Sequence, residues 1–170
     1  MGEQVFLVQC SQCHGVDATG INGKAADLTA WGSEEAIYQT IVQGSKGMNY
    51  PLGEMSKGAD LGIDDATAKA IAAYVALEIS AIKQTKNPAL VEAGRQAYVT
   101  CTACHGEDGK GMDAMAPDLT KYGSGEFVVD VLNHGKNGFI GSMPNFSTTG
   151  VLNAVQEKAV GAYISSLRGE

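Results

Sequence analysis

The sequence predicts an all-α protein built as two tandem copies of one helical unit. Three observations predict it. Apolar residues recur at helical spacing with few strand patterns in competition, a shift of 91 residues aligns one half of the chain with the other, and the same cysteine-histidine cluster opens each half. Of the 170 residues, 44% are apolar and 18% charged, a globular balance that excludes disorder. Units of roughly 80 residues have thin cores. The longest low-charge stretch, Ala66 to Leu77, falls well short of the ~20 apolar residues that span a bilayer, and Lys69 interrupts it. Nineteen acidic against twelve basic side chains give a net charge of −7, which argues against nucleic acid or anionic lipid as a partner. A partner with a basic docking patch suits it better.

The clusters read Cys10-Ser11-Gln12-Cys13-His14 and Cys101-Thr102-Ala103-Cys104-His105, and no cysteine is left over. Cys-x-x-Cys-His is the signature of c-type haem attachment. Thiols three positions apart on one helical turn reach the two vinyl groups of a single porphyrin edge, and the adjacent histidine lies under the iron. A redox cysteine pair does not require that histidine, and a four-thiolate zinc site would ignore both histidines. The expectation is two covalent haem c groups.

Around each motif the same order of elements repeats. A short helix enters the motif and a glycine-rich loop follows, with Asp27-Leu28-Thr29 answering Asp118-Leu119-Thr120 and Gly32-Ser33 answering Gly123-Ser124. A middle helix comes next, signalled in copy one by Ser33, Glu34, Glu35 and apolar Ile37, Ile41 and Val42. Its counterpart has Ser124, then Phe127, Val128, Val131 and Leu132. An irregular methionine-bearing loop leads to a closing helix, which in copy one begins near Asp64-Asp65 and carries Ile71, Val75 and Ile79. Past Gly47 copy one has a few extra residues, after which Ala70 to Val75 answers Ala159 to Ile164. The polar run ending in Asn87-Pro88 marks the junction. The expected domains are residues 1–83 and 91–170, with a linker at 84–90.

With these motifs in place, the whole chain resembles two tandem class I c-type cytochrome domains. Ala116-Pro117-Asp118-Leu119-Thr120, Tyr122-Gly123, Asn133 to Gly138 and Gly141-Ser142-Met143-Pro144 are similar to the diheme subunit III of cbb3-type cytochrome c oxidases, and Ala26 to Gly32 with Ile37 to Ile41 extend the likeness to copy one. The resemblance implies three to five helices around each haem, closed by an N-terminal helix crossing a C-terminal helix. On this pattern Gly94 and Tyr98 meet Tyr163, and Gly2 and Phe6 meet Tyr74.

Three histidines exist and two are proximal ligands, so methionine is the expected sixth ligand. In copy two Met143 matches the family's Gly-x-Met-Pro pattern. Met112 and Met115, just after the motif, read as packing or solvent-facing residues, and His134 as a surface residue. In copy one Met55, in Gly53-Glu54-Met55-Ser56, is the expected ligand and Met48 its competitor. The expected haem-binding set is therefore Cys10, Cys13, His14, Met55, Cys101, Cys104, His105 and Met143. In the family a proline carbonyl orients the proximal histidine; Pro117 stands there in copy two and Ala26 in copy one.

His/Met ligation leaves no open coordination position, so electron transfer is expected and no catalytic activity of the chain alone. The resemblance implies a relay from a soluble mono-haem cytochrome donor toward the oxidase core. A free periplasmic diheme shuttle is the alternative, with a haem sensor or a peroxidase behind it. Haem attachment occurs outside the bacterial cytoplasm, yet the chain starts with no secretion signal. The expectation is a removed signal peptide or N-terminal membrane anchor, and a location in the periplasm at the inner-membrane face.

Overall fold

The computed structural model describes residues 1–45, 54–137 and 141–168. Among them the only paired strands are β1 (Lys136–Asn137) and β2 (Ser142–Met143), and the rest of the regular structure is helical. Copy one contributes α1 (Gly2–Gln9), α2 (Ser11–His14), α3 (Glu34–Gln43) and α4 (Asp65–Tyr74), the last continued by a π-helical turn at Val75–Ile79. Copy two contributes α5 (Val91–Ala97), α6 (Thr102–His105), α7 (Gly125–His134), α8 (Phe146–Thr149) and α9 (Ala154–Leu167). No helix among the described residues is long and apolar enough to cross a membrane.

The start signals act as expected. Ser33 caps α3 by accepting from the Ala36 N–H, and Ser124 caps α7 at Phe127. Asp64 caps α4; beyond the expected signals, Asn153 and Gln156 form a reciprocal capping box on α9. The Pro88–Leu90 turn leads from the junction into α5, and the Glu34 carboxylate accepts from Thr85 Oγ1, the Lys86 N–H and Asn87 Nδ2 at 2.6–2.9 Å. That ties the junction to the start of α3.

Packing departs from the sequence order. One hydrophobic cluster joins Ile37 and Ile41 of α3 and Ala68, Ile71 and Ala72 of α4 to Tyr98 of copy two, with Cys101, Leu119 and Tyr122 packed against it. The other joins Phe6, Cys10 and Ala18 of copy one to Val128 and Leu132 of α7 and Val160 and Ile164 of α9, with Leu28 and Trp31 alongside. Each cluster thus takes the haem-motif half of one copy and the methionine-loop half of the other. The clusters cut across the expected bounds 1–83 and 91–170.

The helix crossings follow the clusters and correct the expected pairing. Phe6 packs on Tyr163 with ring centroids 5.5 Å apart, and Tyr74 packs on Tyr98 at 5.3 Å. A Cβ at Gly2 would strike the Ala159 carbonyl, and one at Gly94 the Ala70 carbonyl, so both crossings need a residue without a side chain. Arg95 reinforces the second, donating to Glu78 at 2.8 Å and lying over the Tyr74 ring. The expected residue types are right and the partners are exchanged, because each copy offers the same glycine-plus-tyrosine surface to either partner.

The aromatic also sits at a different distance from its motif. Phe6 precedes Cys10 by four positions, whereas Tyr98 precedes Cys101 by three, and the Tyr98–Cys101 segment is 3₁₀-helical. Three 3₁₀ steps turn through about 360° and four α steps through about 400°, so both aromatics lie on nearly the same face as the first cysteine.

Candidate haem sites

Both motifs sit on a single helical turn. In copy one the His14 N–H donates to the Cys10 carbonyl at 2.9 Å and the Gly15 N–H to Ser11 at 2.8 Å, which puts both thiols on one edge. The four cysteines are free thiols, Cys10 buried and Cys13 and Cys104 exposed. Burial, reinforced by the neighbouring thiol of each pair, pushes Cys10 and Cys101 up to about 11. The two pairs lie against different clusters, and no group of three or more His, Cys, Asp or Glu among the described residues forms a metal site.

The loop after each motif is built the same way twice. The Gly20 N–H donates to the His14 carbonyl and Gly111 to His105, both at 2.8 Å. Isolated bridges pair Ile21 with Ala25 and Met112 with Ala116, and Asp27 and Asp118 each accept from the threonine two residues on. This turn chemistry returns the chain beneath the histidine. His14 Nδ1 donates to the Ala26 carbonyl at 2.9 Å, and His105 Nδ1 to the Pro117 carbonyl at 3.5 Å. A carbonyl only accepts, so Nδ1 carries the proton and Nε2 keeps its lone pair for a metal. Burial lowers the His105 pKa, favouring the neutral ring a ligand requires, against the opposing pull of the Pro117 bond.

On the methionine side, Met143 lies in β2 opposite Lys136, and Met55 forms the equivalent bridge to Ser45. Ser45 and Lys136 are 91 residues apart, so the two methionines occupy matching places in their loops. Met143 packs against the Phe6 cluster and Met55 against the Tyr98 cluster. Met112 is exposed, and His134 Nδ1 donates to the Asp130 carbonyl of its own helix at 2.7 Å. Met48 and Gly53 lie outside the described residues. The donor set fits a covalent haem: two thiols on one edge, an imidazole with Nε2 open, and a thioether packed on the same cluster.

A family model described as cytochrome c oxidase, cbb3-type, subunit III matches residues 1–75 and again 89–164. The chain belongs to this family. Among its curated relatives, the cbb3-type oxidase subunit CcoP of Helicobacter pylori strain 52 is 47% identical over 173 residues, covering 99% of this chain and 58% of the relative. CcoP of Rhodobacter capsulatus is 33% identical, covering 99% of this chain and 62% of the relative. The subunit FixP of Sinorhizobium medicae is 36% identical over 75% of this chain and 47% of the relative. The chain therefore spans about half to three-fifths of the length of these proteins. Its double match makes it a CcoP-type cytochrome c of two tandem domains, as the repeated motif predicts.

Sequence reasoning missed two residues. Arg168 donates to the Gly32 and Gly123 carbonyls, both at 3.0 Å, and no motif signals it. Lys136, half-buried opposite Met143, has its pKa lowered by desolvation, and Ser45 at the matching place gave no hint of it.

Proposed function

We propose that this chain carries two covalent haem c groups and relays single electrons from a soluble mono-haem cytochrome to the catalytic subunits of a cbb3-type oxidase on the periplasmic side of the inner membrane. The observation that carries this reading is the duplicated donor set, with the proximal histidine held by a loop carbonyl in both copies. Haem iron, when bound, supplies reversible one-electron chemistry.

The chain's own residues define the rest. Cys10, Cys13, Cys101 and Cys104 would carry the thioether links. His14 and His105 would bind iron through Nε2, in the orientation set by the Ala26 and Pro117 carbonyls. The Met55 and Met143 thioethers would complete the ligand sets, and thioether ligation raises the potential relative to bis-histidine ligation. Relatives named as cbb3 oxidase subunits support the oxidase as the acceptor.

The net charge of −7 steers a basic donor. Exposed charges are screened over about 30 Å at 0.01 M salt and about 8 Å at 0.15 M. Electron transfer from a basic mono-haem cytochrome, followed by stopped-flow absorbance, should slow steeply across that range. A rate independent of salt would defeat the steering, and failure to accept electrons would defeat the relay.

A further inference from the structure

Resting on the haem reading above, we propose that Lys136 pairs with a propionate carboxylate of the haem that Met143 serves, and that this cation raises the potential of that haem. The placement of the side chain, its surroundings and the chemistry of the missing partner lead there.

Placement comes from the backbone. Helix α7 ends at His134, and Gly135, with φ of +68°, turns the chain into β1 while its N–H donates to the Val131 carbonyl. Lys136 is therefore the first residue of β1, and its register partner is Met143. Residues directly opposite in an antiparallel pair project to the same face, with Cβ atoms about 5 Å apart. Met143 packs against the cluster that holds Phe6, Leu132 and Val160. The Lys136 side chain thus leaves the ribbon on the side of the expected iron ligand.

The surroundings make this lysine an exception. A long cationic side chain ordinarily lays its stem on the protein and keeps its ammonium in water. Every other lysine or arginine among the described residues is exposed or bonded to an acceptor; Lys121 reaches Glu126 and Asp130, and Arg168 reaches two backbone carbonyls. Lys136 is drawn out of water, which lowers its pKa, and no carboxylate among the described residues lies beside it to oppose that shift. Withdrawing an ammonium from water without a counter-ion is costly. A partner is missing.

The chemistry of the donor set names one. Thioether attachment consumes the vinyl groups of the porphyrin and leaves its two propionates as free carboxylates. An ammonium offers three donors and a charge, and a carboxylate offers the acceptors that the fold withholds from Lys136. An unpaired carboxylate near iron favours the ferric state, so a cation on that carboxylate favours the ferrous one. Ser45 holds the matching place opposite Met55 and brings no charge to it.

The test uses the intact two-haem protein with its haem ¹³C-labelled at the propionate carboxylates. Redox-difference infrared spectra of Lys136→Met should show a carboxylate stretch of one haem displaced from its position in the parent, and Lys136→Arg should return it toward that position. In a redox titration Lys136→Met should move one haem roughly tenfold toward the ferric form, a shift of about 59 mV for a one-electron couple, and leave the other in place. Lys158→Met, which removes an exposed lysine of α9, should alter neither reading. Carboxylate stretches unchanged in Lys136→Met would overturn the pairing. Loss of the near-infrared sulfur-to-iron band in both Lys136→Met and Lys136→Arg would also overturn it, by showing that the lysine only shapes the methionine loop. A parent protein without that band would overturn the methionine ligation on which the proposal rests, so the two failures are distinct.

Discussion

The haem-motif half of each repeat and its methionine-loop half have different relations to their counterparts. From Gly15 to Leu28 and from Gly106 to Leu119, the bridges and backbone bonds coincide position for position. From Ser45 and Lys136 onward the copies diverge. Ten positions separate Ser45 from Met55 and seven separate Lys136 from Met143; serine follows one methionine and proline the other. Local turn chemistry is self-sufficient within some twenty residues and is duplicated with it. The methionine loop is positioned by tertiary packing, and that packing tolerates differences in length, rigidity and partner.

The largest expected effect comes from breaking the methionine side. Met143→His and Met55→His should each lower the potential of one haem by on the order of 100 mV or more, because a second imidazole favours ferric iron. Redox titration of each variant against the parent checks this, and a shift in both haems from one substitution would blur the comparison.

Next is the crossing that the copies exchange. Gly94→Val drives a side chain into the Ala70 backbone and should cost about 3 kcal/mol, read as a fall in Tm of roughly 10 °C. Arg168→Met leaves the Gly32 and Gly123 carbonyls without their cation and should cost about 2 kcal/mol in denaturant unfolding.

The smallest effect makes copy one more like copy two. Ala26→Pro with Ser56→Pro should add about 0.5–1 kcal/mol by restricting the unfolded chain. It should also slow carbon monoxide binding to the reduced haem that Met55 serves. Faster binding would show that the serine-bearing loop is not the looser of the two.

How far the sequence was legible follows the same division. The middle helices and their caps could be read because each depends on residues close in the chain, such as Ser33 with Ala36, and the family resemblance pointed to the carbonyls of Ala26 and Pro117. The pairing of Phe6 with Tyr163 and Tyr98 with Tyr74 could not. Two similar repeats present equivalent surfaces, and the residues of one crossing do not say which copy supplies its partner. Arg168 was illegible for a related reason: its partners are backbone carbonyls, which carry no side-chain signature.

The measurement that reaches the central claim most directly is denaturing mass spectrometry of the chain matured in a host that attaches haem c. The account predicts the polypeptide plus two haem masses, with proteolytic fragments carrying one haem at Cys10/Cys13 and one at Cys101/Cys104. A mass showing fewer than two covalent haems, or haem that extracts into acid-acetone, would contradict it.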